Sequence, residues 1–201
     1  VRVLFWGTPL FAVPTLRALV GEGYDVVGVV TQPDRPKGRG RTLTPSPVRE
    51  VAETEGIPVL TPDTPRGEAF MAEIRALEPD VSVVVAYGHI LRPEVLELPR
   101  LGSWNVHASL LPELRGAAPI HWAIARGYEE SGVTVMRMEE GLDSGPILVR
   151  EAEPIAPTDT SSSLAERLSE LGARAMVEAL ALLELGEAGL EVQDHERATF
   201  A

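Results

Sequence analysis

Three features of the 201-residue sequence predict an α/β protein built on a mostly parallel sheet with helices on both faces. Short runs rich in Val recur along the chain, and stretches with apolar residues at helical spacing separate them. The run Val81 to Val85 is apolar nearly throughout, as a strand covered on both sides requires. With 44% hydrophobic residues the chain can bury one sizeable core, so a single compact domain over 1–201 is expected.

Val1 to Trp6 is β-prone and meets Gly7-Thr8-Pro9, after which Phe11, Val13, Leu16 and Leu19 mark a helix. Val26 to Val30 reads as a second buried strand, Val48 to Glu55 as a helix, and Ile57 to Leu60 as a short strand. Glu68 to Leu77 is helical and precedes the strand Val81 to Val85. Trp104 to His107 reads as a strand, Ala118 to Ala125 as a helix, and Val133 to Met138 and Ile147 to Val149 as further strands. From Ser163 to Leu185 apolar residues fall mostly at helical spacing, with hydroxyls at Thr160 to Ser163 available to cap the start. Thr31 to Pro47 reads as an irregular loop, too long and too charged for a simple connector.

Composition narrows the function. There is no cysteine, so disulfides, thiolate chemistry and a Cys-based zinc site are ruled out. No apolar run reaches the roughly 20 residues that a membrane helix needs, and no secretory n-region precedes the first strand; a soluble, cytoplasmic protein with no membrane partner is expected, as a monomer. Lys37 is the only lysine, and arginine carries the rest of the positive charge. The net charge of −12 argues against polyanion binding by the whole surface, so any nucleic-acid contact must be local.

One local candidate is the segment Gln32 to Arg41, where Arg35, Lys37, Arg39 and Arg41 stand without a carboxylate among them. A solvated, mobile loop would explain such a run; fixed guanidinium forks next to glycines that admit a close backbone favour RNA, with the loop ordering on contact. Gly7-Thr8-Pro9 opens a helix where dinucleotide folds carry their glycines, but the second and third glycines of that fingerprint are missing.

The only asparagine of the chain, Asn105, lies two residues before His107, so on a strand both project from one side. A capping amide and a core histidine would account for the pair, whereas together they offer a hydrogen-bond donor beside a titratable group. Asp143, in the turn Gly141 to Pro146, reads as a turn residue by itself and gains interest only if it meets His107.

Six segments in order resemble the methionyl-tRNA formyltransferase family: Phe5 to Pro14, Gln32 to Arg41 followed by Pro45-Ser46-Pro47-Val48, Ala86-Tyr87-Gly88, Asn105 to Pro112, Arg115 to Ile120, and Gly141 to Gly145. The resemblance runs over essentially the whole sequence, including Val192-Gln193-Asp194 and Ala198 to Ala201, where the family's chains continue into a smaller β-barrel-like domain that this sequence lacks. It implies a Rossmann-like formyltransferase domain that moves the formyl group of 10-formyltetrahydrofolate to the α-amino group of methionyl initiator tRNA, without a metal. In the family pattern Asn105, His107 and Asp143 match the catalytic trio. Asn105 and protonated His107 would stabilise the charge developing on the formyl oxygen, while Asp143 orients His107 and, through water, helps to move a proton.

Ser109, Leu110, Leu111 and Pro112 match the folate-contacting turn, and Gly88, Ile90, Leu91 and Glu140 match walls of the pterin pocket. Arg35, Lys37, Arg39 and Arg41 match the tRNA-binding loop. His89 and the pair Glu113-Leu114 depart from the family pattern, and His121 and His195 lie outside the matched motifs, where a structural or surface role is expected. Glycinamide ribonucleotide and sugar-nucleotide N-formyltransferases share the trio and the Ser-Leu-Leu-Pro turn but not the basic loop. A non-catalytic RNA-binding remnant is a further alternative, against which the intact trio stands.

Overall fold

The computed structural model describes residues 1–201, which divide into two compact units, Val1–Ser103 and Trp104–Ala201. The fold is α/β and Rossmann-like. In the first unit the chain runs through β1 (Arg2–Gly7), α1 (Val13–Gly21), β2 (Asp25–Val30), β3 (Arg35–Lys37), β4 (Thr42–Thr44), α2 (Pro47–Thr54), β5 (Val59–Leu60), α3 (Glu68–Ala76), β6 (Val81–Val85) and α4 (Pro93–Leu96). Strands β5, β2, β1 and β6 lie side by side in that order, each pair parallel. All five residues of β6 and five of the six in each of β1 and β2 are buried, the pattern of a sheet covered on both faces. Trp6 sits at its centre: the indole N–H donates to Ser82 Oγ at 3.2 Å, and the ring meets Phe70 and Tyr87 edge-on at 6.0 and 5.3 Å.

Helix α2 begins where the sequence provides for it. Pro47 fixes φ at the first helical position, and the Ser46 hydroxyl accepts from the Arg49 N–H at 3.1 Å. The stretch before it corrects the reading of Thr31 to Pro47 as irregular, because β3 and β4 pair antiparallel from Arg35 opposite Thr44 to Lys37 opposite Thr42. The alternation Thr42-Leu43-Thr44 was the signal; the prolines and glycines around it masked a hairpin. Helix α4 was also missed, being a single turn with too little periodicity to read.

The second unit holds β7 (Ser103–His107) from its second residue on, α5 (Pro119–Ala125), β8 (Glu130–Arg137), β9 (Ile147–Pro154) and α6 (Ser161–Leu185), then a 3₁₀ turn at His195–Arg197. Here the strands pair antiparallel, β7 with β8 and β8 with β9, so the parallel order expected from strand–helix alternation does not extend to them. The connection from Met138 to Pro146 contains no helix and is too short for a parallel crossover. Helix α6 starts in a capping box: Thr160 Oγ1 accepts from the Ser163 N–H at 3.1 Å, and Ser163 Oγ accepts from the Thr160 N–H at 2.9 Å. It closes on the strands at Gly172, where an added Cβ would lie 2.7 Å from a methyl of Val106. Val106 stands between Asn105 and His107, so α6 backs the strand that carries them.

Candidate active site

Strand β7 delivers Asn105 half-buried and His107 buried, with Asn105 opposite Met136 and His107 opposite Thr134 on β8. The His107 ring is fixed by both nitrogens. Nε2 is 2.8 Å from the Leu114 carbonyl oxygen, which can only accept, so Nε2 carries a hydrogen. Nδ1 faces Asp143 Oδ2 at 3.6 Å, with side-chain exposures of 7% and 16%. With Nε2 committed, Nδ1 is the ring atom through which a proton can come and go. The Asn105 amide makes no side-chain hydrogen bond within the chain, in contrast to its surroundings.

Asp143 is held from several sides. Its Oδ2 accepts from the Gly116 N–H at 2.8 Å, and its backbone stands at φ 47°, a left-handed conformation that costs a non-glycine residue of order 1–3 kcal/mol unless its neighbours impose it. The glycine-framed turn and the strand spacing thus bring Asp143 and His107 into one site.

The turn that follows His107 is knitted together by Thr134, whose hydroxyl donates to the Ser109 carbonyl at 2.7 Å and accepts from the Leu111 N–H at 3.1 Å. Ser109 Oγ donates to the Glu113 carbonyl at 2.5 Å. From the end of the chain, Thr199 Oγ1 accepts from the Leu114 N–H at 2.8 Å, its carbonyl accepts from the Arg115 N–H at 2.9 Å, and Ala201 donates to the Arg115 carbonyl at 2.8 Å. Thr134, Thr199, Arg115 and Gln193 lie in segments that the sequence singles out, but no site role is expected of them there. For Gln193 a signal existed: the chain has two glutamines, Gln32 and Gln193, and both are buried.

Among the folate candidates of this unit, Leu111 is fully buried against Met136 and Ile147, so only its backbone can meet a ligand, and the Ser109 hydroxyl is spent internally. Leu110 and Pro112 are half-buried and Glu140 is exposed. In the first unit Ile90 is 93% exposed, Leu91 is buried, and Gly88, at φ 97°, leaves room that a Cβ would take from the Gln32 amide. Gln32 donates from Nε2 to the Tyr87 carbonyl at 3.0 Å and accepts from Arg35. Burial pushes the Tyr87 phenol up to about 12.

The basic candidates divide. Arg35 bonds Gln32, whereas Lys37, Arg39 and Arg41 are exposed on the β3–β4 hairpin and form no ion pair or hydrogen bond through their side chains. Gly38 at φ 72° and Arg41 at φ 48° close the tip, with the Arg41 N–H on the Gly38 carbonyl at 3.2 Å. His195, expected to be structural or at the surface, accepts at Nδ1 from Arg115 Nη2 at 2.9 Å. No group of three or more His, Asp or Glu residues could hold a metal ion, and no helix is long and apolar enough to cross a membrane.

The family model described as formyl transferase matches residues 1–180, a stretch that includes Asn105, His107 and Asp143. The chain belongs to that family. A methionyl-tRNA formyltransferase from Synechococcus sp. (strain CC9605) is 56% identical over 191 residues, covering 94% of this chain and 56% of that one. Other curated relatives of the same name are 50–55% identical, and the chain spans 63–64% of their length. Among solved structures, glycinamide ribonucleotide transformylase 1 from Symbiobacterium toebii superposes with a TM-score of 0.77 at 24% identity, over 96% of this chain and 94% of that one. An N-formyltransferase from Helicobacter canadensis, in complex with folinic acid and dTDP-3-aminofucose, gives 0.74 at 18% identity, over 100% of this chain and 70% of that one. At these identities the two superpositions speak for the fold.

Proposed function

We propose that this chain transfers the formyl group of 10-formyltetrahydrofolate to the α-amino group of methionyl initiator tRNA, for translation initiation in the cytoplasm. The observation that carries the reading is the unpaired Asn105 amide beside a His107 whose Nδ1 stands 3.6 Å from Asp143. The folate supplies an activated formyl carbon. Asn105 donates to the formyl oxygen as negative charge gathers there, a donor held in advance by strand β7. His107, whose Nε2 is committed to Leu114, takes the proton of the attacking amine at Nδ1, in place of the charge-stabilising role expected of a protonated ring, and passes it on, directly or through water, toward the leaving nitrogen, while Asp143 steadies the ring. Bonding of Nε2 to Leu114 keeps the ring from turning away. All three residues come from one chain, so a monomer suffices.

The donor set fits a folate on its own terms: a free amide and half-buried Leu110 and Pro112 stand close in sequence to backbone groups of the turn. Ser109 to Pro112 and Glu140 are proposed as folate contacts, Ser109 and Leu111 through their backbones. Gly88, Ile90 and Leu91 are proposed for the same role from the family pattern alone. Lys37, Arg39 and Arg41, with Arg35 at the base of the hairpin, are proposed to meet the tRNA. These unpaired cations, with the names of the relatives, favour a tRNA acceptor over a ribonucleotide or a sugar nucleotide.

Acceptor competition tests the reading. With 10-formyltetrahydrofolate in excess, formyl should appear on methionyl initiator tRNA and not on uncharged tRNA, glycinamide ribonucleotide or a dTDP-aminosugar. Transfer to either small acceptor in preference to the charged tRNA contradicts it.

A further inference from the structure

We propose that Gln193 is a positioning residue that holds Asp143 against His107, acting from outside the stretch that the family model matches. Its kinetic consequence rests on the formyl-transfer reading; its structural consequence rests on geometry alone.

Gln193 is 3% exposed, and every hydrogen-bonding position of its amide is filled. Oε1 accepts from Arg115 Nε at 3.2 Å and Nη2 at 2.8 Å, while Nε2 donates to the carbonyls of Asp143 at 3.0 Å and Gly145 at 2.7 Å. A guanidinium only donates and a carbonyl only accepts, so the amide has one orientation. Both of its sides lead to the catalytic pair. Arg115, itself 6% exposed, follows Leu114, whose carbonyl fixes His107 Nε2, and precedes Gly116, whose N–H donates to Asp143 Oδ2. Asp143 stands at φ 47°, and the Gln193 bond to its carbonyl complements the Gly116 bond to its carboxylate. One buried amide therefore ties the turn carrying Asp143 to the turn that aims His107, and their separation depends on it.

Gln193→Glu separates the two halves of this bridge. The new carboxylate keeps Arg115 as a partner but presents an oxygen, in place of Nε2, to two carbonyls. Formyl transfer to methionyl initiator tRNA should fall roughly 10–100-fold in kcat, as for a misplaced catalytic group, with KM little changed. Because Gln193 acts through Asp143, adding Gln193→Glu to Asp143→Ala should cost less than about twofold more. Hydrogen exchange gives a readout free of the reaction: the Gly116 amide should exchange faster in Gln193→Glu while Val135 in β8 keeps its protection.

Full kcat in Gln193→Glu, an equal loss in both backgrounds, or unchanged Gly116 exchange overturns the proposal. A wild-type chain that transfers no formyl contradicts the functional reading instead, and Gly116 exchange still decides the role of Gln193. Where Gln193→Glu does not fold, Gln193→Asn, which pulls the amide back by one methylene, is judged by the same outcomes.

Discussion

Around His107 nearly every polar group is committed within the chain, whereas the hairpin of β3 and β4 leaves Lys37, Arg39 and Arg41 without partners in water. On the proposed function the difference follows from what each region would have to do. On the proposed reading a proton carrier has to stand in place before the reaction begins, so the fold fixes His107 and Asp143 with buried hydrogen bonds and accepts the strain at Asp143. A cation that meets phosphate must instead stay solvated and free until the partner arrives. The lone free amide of the first region, Asn105, stands out against its surroundings as Arg39 does not stand out against the hairpin.

The largest expected effect separates the two. His107→Ala should lower turnover by roughly 10²–10⁴-fold, the range for loss of a positioned acid–base group, and leave tRNA affinity unchanged. Arg39→Ala should do the reverse, sparing single-turnover transfer at saturating tRNA while weakening binding. If Arg39 reads the acceptor end, discrimination between initiator and elongator methionyl-tRNA falls with affinity; if it only holds phosphate, both tRNAs weaken alike and the slope of log affinity against log salt drops by about one. Equal loss for both leaves the hairpin as an electrostatic anchor.

Gly172→Ala probes the backing of β7. The new methyl gains roughly 1 kcal/mol of helix propensity but must displace Val106, a stiff β-branched side chain, at about 1–3 kcal/mol, so a modest net loss should appear in urea unfolding. A more stable variant shows that strand and helix yield more easily than the account requires. The smallest effect lies far from the chemistry. The Arg167 guanidinium, with the Ser163 hydroxyl and the Ala156 N–H, holds the Asp159 carboxyl below the usual carboxylate range. A depressed carboxylate stabilises the fold at pH values above its ordinary value and ceases to do so as it protonates, so Asp159→Asn should flatten the loss of stability on acidification below about pH 4 and leave transfer unchanged.

The candidate pair was legible from scarcity and spacing: the single asparagine stands two residues before a histidine on a strand, and the structure brings that histidine to Asp143. The parallel strands of the first unit were legible from their continuous Val runs. The antiparallel order of β8 and β9 was not, since it depends on a connection whose lack of a helix matters more than any residue in it. The β3–β4 hairpin was hidden by its own Pro and Gly content. The roles of Gln193, Arg115 and Thr199 were not legible because their partners lie across long sequence separations, and no local period records a hydrogen bond between Gln193 and the carbonyl of Asp143. Even so, an amide that is one of two glutamines carried the same hint as Asn105.

The unpaired Asn105 amide is proposed to act in the transition state rather than in substrate binding. Single-turnover transfer from 10-formyltetrahydrofolate to methionyl initiator tRNA, compared between the wild-type chain and Asn105→Ala with folate-analogue affinity measured in parallel, tests this most directly. Turnover should fall by roughly 10²–10³-fold, as for removal of one oxyanion donor, while folate affinity stays near that of the wild type. A folded Asn105→Ala variant with near-full turnover, or one whose loss lies wholly in folate affinity, contradicts the account.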